Sequence, residues 1–258
     1  MQLFTERTPR VAAARQLTKR AGRERAGRFL AEGAQAVREA VRYGQVHEIF
    51  VTQQAAERNA DLLSTVDALV SVVTDKAADS LSETVTPQGI VAVCELLDVS
   101  LEEALAAPKL VTVLVGVSDP GNAGTVTRVS DAAGASAVIF AGDTVDPHNG
   151  KCVRASTGSV FHLPLARARN TTAVFDACRA AGLRLVAADG YATTDLYAAD
   201  LSQPTAWVFG SEARGLPSEI LDAVDEAVQV PIYGKAESLN LATAAAVCLY
   251  ASGYQLNS

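Results

Sequence analysis

Apolar residues fall into two alternating series along the chain, each mixing short continuous runs with stretches of helical period. The first series opens with residues 10–27, whose spacing predicts a basic helix with Val11, Ala14 and Leu17 on one side and Arg15, Lys19 and Arg23 on the other. A short strand is expected in R-F-L-A-E-G (28–33), then a helix over Ala34–Tyr43 stopped by Gly44. Strands follow at Glu48–Thr52, Val70–Thr74 and Gly89–Leu96, separated by helical stretches at Gln54–Leu63 and Lys76–Leu81. Residues 1–97 therefore predict a small α/β domain, and the acidic 98–108 segment a short helical linker.

The second series, residues 109–258, begins with L-V-T-V-L-V (Leu110–Val115), a strand apolar on both faces as buried parallel strands are. Further strands are expected at Ala137–Ala141, Phe161–Leu165, Leu183–Ala188, Ala206–Phe209 and Ala227–Val230. Helices are expected at Thr125–Ala133, Lys151–Ser156, Thr172–Ala181, Pro217–Leu221 and Leu239–Gln255, with 118–124 as a loop. Such alternation predicts an α/β fold with a parallel sheet covered by helices on both faces. The last helix is almost free of polar side chains, so it is expected inside the domain or at a subunit contact.

Composition narrows the class. With 49% hydrophobic and 20% charged residues, the 258-residue chain has an ordinary globular core. No run of about 18 apolar residues spans a membrane, and the N-terminus lacks the apolar stretch of a signal peptide, so a cytoplasmic protein is expected. Cys94, Cys152, Cys178 and Cys248 are scattered and His47, His148 and His162 isolated, so no metal is assigned. The net charge of −7 conceals an uneven distribution: residues 1–44 carry ten Lys/Arg against four Glu, +6, leaving −13 elsewhere. A basic arm on an acidic body suits an anionic partner, and a solvated helix face gives the same count.

Three loops that follow strands carry the chemistry. In S-D-P-G-N-A-G-T-V-T-R (118–128), Pro120-Gly121 reads as a turn, with Asn122 and Arg128 six apart. In F-G-S-E-A-R-G-L-P (209–217), two glycines flank Glu212, which alone reads equally as a helix cap. The pattern is not a dinucleotide fingerprint and has no Walker lysine. In V-P-I-Y-G-K-A-E-S-L-N (230–240), Ser238 and Asn240 stand where a helix begins, and capping is the favoured role for them in isolation.

Taken together, N-x(5)-R, G-x-E-x-x-G and S-L-N in this order resemble the three signature motifs of the SPOUT superfamily, in its branch of S-adenosylmethionine-dependent RNA ribose 2′-O-methyltransferases. The resemblance covers Lys109 to Ser258, while R-x-x-G-R-F-L-A-E-G and V-T-P-Q-G-I-V-A-V resemble the RNA substrate-binding domain, similar to small ribosomal proteins, that precedes many of these enzymes. Among relatives the chain looks most like actinobacterial ribosomal RNA methyltransferases, including those of the thiostrepton-resistance type. The resemblance implies a trefoil-knotted α/β domain, a homodimer joined through the last helix, and ribosomal RNA as substrate.

It further implies that backbone at Phe209, Gly210, Val230, Ile232 and Leu239 holds the adenosine of S-adenosylmethionine, with Ala187, Ala188 and Asp189 beside the adenine and Gly215 leaving room. Glu212 and Ser238 would border the methyl donor. Asn122, Arg128, Glu212, Ser238 and Asn240 make up the implied catalytic set, with Arg128 and Asn122 of one subunit facing the donor of the other. A guanidinium keeps its proton at physiological pH, so Arg128 suits a phosphate clamp better than a general base. Arg15, Lys19, Arg20, Arg23, Arg25 and Arg28 of the arm are expected to bind RNA, and Arg154 to grip phosphate or stand as a surface residue. The rival readings are a transfer-RNA or base methyltransferase of the same superfamily and a catalytically idle RNA-binding module.

Overall fold

The computed structural model describes residues 3–257. Two compact units emerge: the chain through Leu97 together with His148–His162, and Asp98–Pro147 together with the chain from Leu163 onward. A division by sequence order at 97, 98–108 and 109–258 therefore needs two corrections. The 148–162 stretch returns to the first unit, and the 98–108 segment is part of the second unit rather than a linker.

The first unit contains β1 (Arg28–Glu32), β2 (Val46–Thr52), β3 (Leu69–Val73) and β4 (Ile90–Glu95), in spatial order β1-β4-β2-β3. β4 runs antiparallel to both β1 and β2, and β2 and β3 are parallel. Because strand side chains alternate between faces, β1 points Leu30 to one face and Phe29 to the other. On the Leu30 face Val11, Ala14, Leu17, Phe50, Ala77 and Leu81 complete a core. On the Phe29 face the returning stretch supplies Phe161, stacked at 5.8 Å, and His148 at 4.8 Å. It consists of a helix, Gly150–Ser156, and a 3-10 turn, Ser159–Phe161, where residues 161–165 read as a strand. Cys152, Val153, Val160 and Phe161 are apolar because they cover a sheet face, a reason invisible in local periodicity.

The predicted 10–27 helix is broken into Pro9–Arg15, a 3-10 turn and Arg20–Ala26. Gly22 abuts the Gln16 carbonyl, where a Cβ would stand 1.9 Å from oxygen, so the second helix folds back on the turn.

The second unit is an eight-stranded, wholly parallel sheet. Its strands are β5 (Asp98–Val99), β6 (Leu110–Val115), β7 (Ala137–Ala141), β8 (Leu165–Ala168), β9 (Arg184–Ala188), β10 (Thr194–Asp195), β11 (Thr205–Phe209) and β12 (Glu226–Gln229). The spatial order is β10-β12-β9-β11-β6-β7-β8-β5. β6, β7 and β11 are buried along their whole length, as continuous apolar runs in a covered parallel sheet must be. Residues 98–108 belong here because β5 extends the edge beside β8, Arg167 forks onto Asp98 with an N–O distance of 2.7 Å, and Ala104 and Leu105 enter the core.

On the opposite face lie the helices Pro120–Ala132 and Leu241–Leu256. Their polar groups there are paired: Trp207 Nε1 donates to Ser252 Oγ at 2.7 Å, and Thr112 and Ser130 share a hydroxyl bond of 2.7 Å. The last helix buries Ala242, Ala245, Cys248 and Leu249, whereas Tyr250 and Tyr254 are 55% and 77% exposed. Burial pushes the thiols of Cys94 and Cys248 up to about 12 and that of Cys178 up to about 11, so they serve as small apolar side chains.

Candidate active site

In a parallel sheet all carboxyl ends lie along one edge, and ligands bind there. Because β12, β9, β11 and β6 are consecutive neighbours, the loops after them meet at that edge. These loops carry the three sequence motifs.

The loop after β6 gives way to a helix at Pro120, earlier than the expected loop over 118–124 and helix from Thr125. Asp119 is the N-cap, its Oδ1 accepting the Asn122 N–H at 2.8 Å, and Pro120 occupies the first turn. Asp-Pro is a standard helix start, so the signal was present in the sequence although the Pro-Gly pair reads as a turn. Asn122 is thereby held in the first helical turn, half-buried.

The loop after β11 closes on itself. A Cβ at Gly210 would lie 2.4 Å from the Gly215 carbonyl carbon, so only glycine fits. Gly215 adopts φ +63°, the left-handed region glycine favours, and donates its N–H to Ser211 O at 2.9 Å. The tight turn lifts Glu212 to the exposed tip, where it does not cap the following helix.

After β12, the helix Leu241–Leu256 is capped by Asn240. Asn240 Oδ1 accepts the N–H groups of Ala242 (2.9 Å) and Thr243 (3.3 Å). Its oxygen thus committed, Asn240 donates through Nδ2 to Asn122 Oδ1 at 3.1 Å, and Asn122 donates through its own Nδ2 to Glu212 Oε1 at 2.9 Å. One residue from each motif joins a single directed chain that ends on a carboxylate. Each amide has one acceptor oxygen and one donor nitrogen, so the direction fixed at the helix cap propagates to Glu212. Glu212 keeps further acceptor sites for an incoming hydroxyl.

Arg128 and Ser238 lie outside this chain. Arg128 is exposed, about 9 Å further along the helix and about 240° round from Asn122. Ser238 is exposed two residues before the cap, so the capping that S-L-N suggested falls on Asn240. Of the expected cofactor residues, Phe209 and Ala187 are buried at strand ends, Ala188, Asp189 and Val230 are half-buried, and Ile232 and Leu239 are 39% and 38% exposed. Gly215 has open space where a Cβ would stand.

In the first unit, Arg15, Lys19, Arg20, Arg25 and Arg28 are exposed, with Arg20 paired to Glu24 at 2.8 Å. Arg23 is buried and donates to the carbonyls of Leu17 and Thr18, both at 3.0 Å, so it closes the break between the two helices instead of facing RNA. Arg154 pairs with buried Glu32 at 2.8 Å, and Thr84 and Ser82 donate to the same carboxylate. That pairing ties the returning stretch to β1. Among the described residues no group of three or more His, Cys, Asp or Glu could hold a metal.

Residues 109–250 match the SpoU rRNA methylase family and residues 8–92 the MRM3-like substrate binding domain. The chain is 34% identical over 96% of its length, and 98% of the relative's, to the 23S rRNA (guanosine(2553)-2′-O)-methyltransferase RlmP of Bacillus subtilis. It is 33% identical to the 23S rRNA (uridine(2479)-2′-O)-methyltransferase of Streptomyces viridochromogenes, covering 95% of this chain and 93% of that one. A crystal structure of an AdoMet-bound rRNA methyltransferase from Sinorhizobium meliloti superposes with a TM-score of 0.87 at 33% identity, covering 100% of this chain and 99% of that one. The chain belongs to the SpoU rRNA methylase family, with a substrate-binding domain of the MRM3-like type.

Proposed function

We propose that the chain transfers a methyl group from S-adenosylmethionine to a ribose 2′-hydroxyl of large-subunit ribosomal RNA, as a cytoplasmic homodimer whose second unit is a trefoil-knotted SPOUT domain. The observation that carries this reading is the Asn240–Asn122–Glu212 chain, which joins the three motifs at one sheet edge. The two named relatives act on a guanosine and a uridine, so what their reactions share is the ribose and not the base.

The edge suits the cofactor. Gly215 and Gly234 have open space at the Cβ position, and Ile232 and Leu239 leave apolar surface uncovered beside them. Backbone of Phe209, Gly210, Val230, Ile232 and Leu239 holds the adenosine, with Ala187, Ala188 and Asp189 on the adenine side and Ser238 beside the donor. When bound, S-adenosylmethionine supplies an electrophilic methyl group.

The residues of this chain supply alignment and charge management. Glu212, oriented by Asn122, accepts a hydrogen bond from the ribose hydroxyl and keeps its lone pair aimed at the methyl group. Arg128 of the opposite subunit clamps the adjacent phosphate and stabilises negative charge as the hydroxyl passes its proton to the Glu212 carboxylate. The exposed basic side chains of residues 15–28 hold RNA backbone in the first unit. Two features support the homodimer: Leu241–Leu256 carries no charged residue, and its tyrosines stand uncovered in the protomer. The sheet order β12-β9-β11-β6, far from chain order, supports the knot.

The test is to map alkali-resistant linkages in ribosomal RNA from cells with and without the protein. A methylated 2′-oxygen cannot attack its phosphate, so one linkage should become cleavable on deletion and be protected again by the purified protein. Identical cleavage patterns would sink the proposal.

A further inference from the structure

Three adjacent parallel strands, β10, β12 and β9, are each followed at the carboxyl end by an exposed tyrosine. Tyr197 comes two residues after β10, Tyr233 four after β12 and Tyr191 three after β9. Their exposures are 68%, 89% and 96%. With Ile232 and Leu239 left to the cofactor, these loops hold three of the eleven large hydrophobic side chains that are exposed among the described residues. Single exposed apolar residues are ordinary, but a cluster on one edge marks an interaction surface.

The Tyr191 side chain stands on a braced support. Asp189 N–H donates to Val228 O at 3.0 Å, Ala192 N–H closes the turn onto Asp189 O at 3.2 Å, and Leu196 N–H donates to Gln229 O at 2.9 Å. The turn has Gly190 at one tip position, as such turns ordinarily do, and Tyr191 at the other. Here both ends of the loop are fastened to β12 and a large ring is held out into water, on the same edge as Asn122, Glu212 and Asn240.

We infer that Tyr191 and Tyr233 form an aromatic shelf on which unpaired bases next to the target nucleotide stack. This rests on reading the chain as an RNA methyltransferase. An RNA strand whose ribose reaches Glu212 must place its neighbouring bases along the same sheet edge. Sequence-tolerant stacking on aromatic rings is how proteins hold splayed single-stranded bases. The occupant is RNA rather than an apolar protein surface because phenol rings, with a polar end kept in water, make up most of the patch. The loops 189–197 and 230–240 carry Lys235 against Asp189, Asp195 and Glu237, so the grip comes from ring faces and not from net charge.

The experiment uses the full-length protein and an unstructured 12-nucleotide RNA containing 2-aminopurine, whose fluorescence falls when it stacks. The unaltered protein should quench the probe. Tyr191→Ala and Tyr233→Ala should each weaken binding about 5- to 150-fold, while Tyr→Phe at either site restores it. S-adenosylmethionine affinity by calorimetry and molecular mass by light scattering should not change. Absence of quenching by the unaltered protein, or unchanged RNA affinity in both alanine variants, overturns the shelf. A change of mass in those variants also overturns it, by assigning the tyrosines to a contact with a second copy. If quenching follows the tyrosines but no ribosomal RNA is ever methylated, the shelf stands and the methyltransferase reading fails.

Discussion

Asn122 Nδ2 donates to Glu212 Oε1 at 2.9 Å across ninety residues of sequence, and this one hydrogen bond sets which way the carboxylate faces. Asn122→Ala removes the orienting donor from a half-buried, solvent-reached position. We expect kcat to fall about 10²- to 10³-fold, by analogy with loss of one oriented hydrogen-bond donor, with thermal stability nearly unchanged. Single-turnover transfer of labelled methyl to ribosomal RNA checks it, and an equal loss of stability and activity would contradict it.

Asn240 combines a structural and an orienting role that one substitution can separate. Asn240→Asp keeps an acceptor for the N–H groups of Ala242 and Thr243 and loses the donor to Asn122. It should therefore retain stability and lose activity. Asn240→Ala should lose both, with about 1 kcal/mol of stability removed with the cap. Denaturant midpoints beside transfer rates distinguish the two.

Arg128→Ala should fold, bind S-adenosylmethionine with unaltered affinity and fail in transfer. Lysine should restore little, since a point charge does not reproduce a planar fork on phosphate. Normal turnover by the alanine variant would remove Arg128 from the mechanism.

Glu32 is buried and Arg154 half-buried, so removing Arg154 strands a buried carboxylate, whereas removing Glu32 leaves a guanidinium that still reaches water. Arg154→Ala should cost up to about 3 kcal/mol, Glu32→Ala less, and the double variant less than their sum. A variant of Arg154 that lost RNA affinity with no loss of stability would restore it to the RNA-binding set.

The cysteines provide a pH test. Cys94 and Cys248 have thiols raised to about 12 from a reference of 9.0. Burial favours the protonated form, so their contribution to stability is complete below pH 9 and declines as pH climbs from 9 towards 12. The native protein should leave both thiols unreacted with a disulfide reagent at pH 8, and unfolding should release all four.

Much of this arrangement was legible in residue order. The apolar run Leu110–Val115 and the helix Ala34–Tyr43 appear with the bounds their patterns suggest, because each is determined by its own residues. The three loops were recognisable because α/β sheets put their chemistry at strand ends. What sequence left open depends on distant partners. Arg23 looked solvated because a helical wheel assumes an unbroken helix, whereas the break at Gln16–Thr18 leaves carbonyls that need a buried donor. Asn240 looked like a cap, and only the meeting of three loops shows that a cap can also transmit direction.

The stretch His148–His162 has a consequence for synthesis. During translation a domain near the N-terminus ordinarily folds as soon as it has emerged. Here Phe29 receives its stacking partner Phe161 only after β5, β6 and β7 have been made. The first unit must wait with the β1 end of one sheet face uncovered, so its completion is timed by the growth of the second. A cut or a graft at residue 97 would divide a core and not a linker, and an exchange of RNA-binding units between relatives would have to carry both segments.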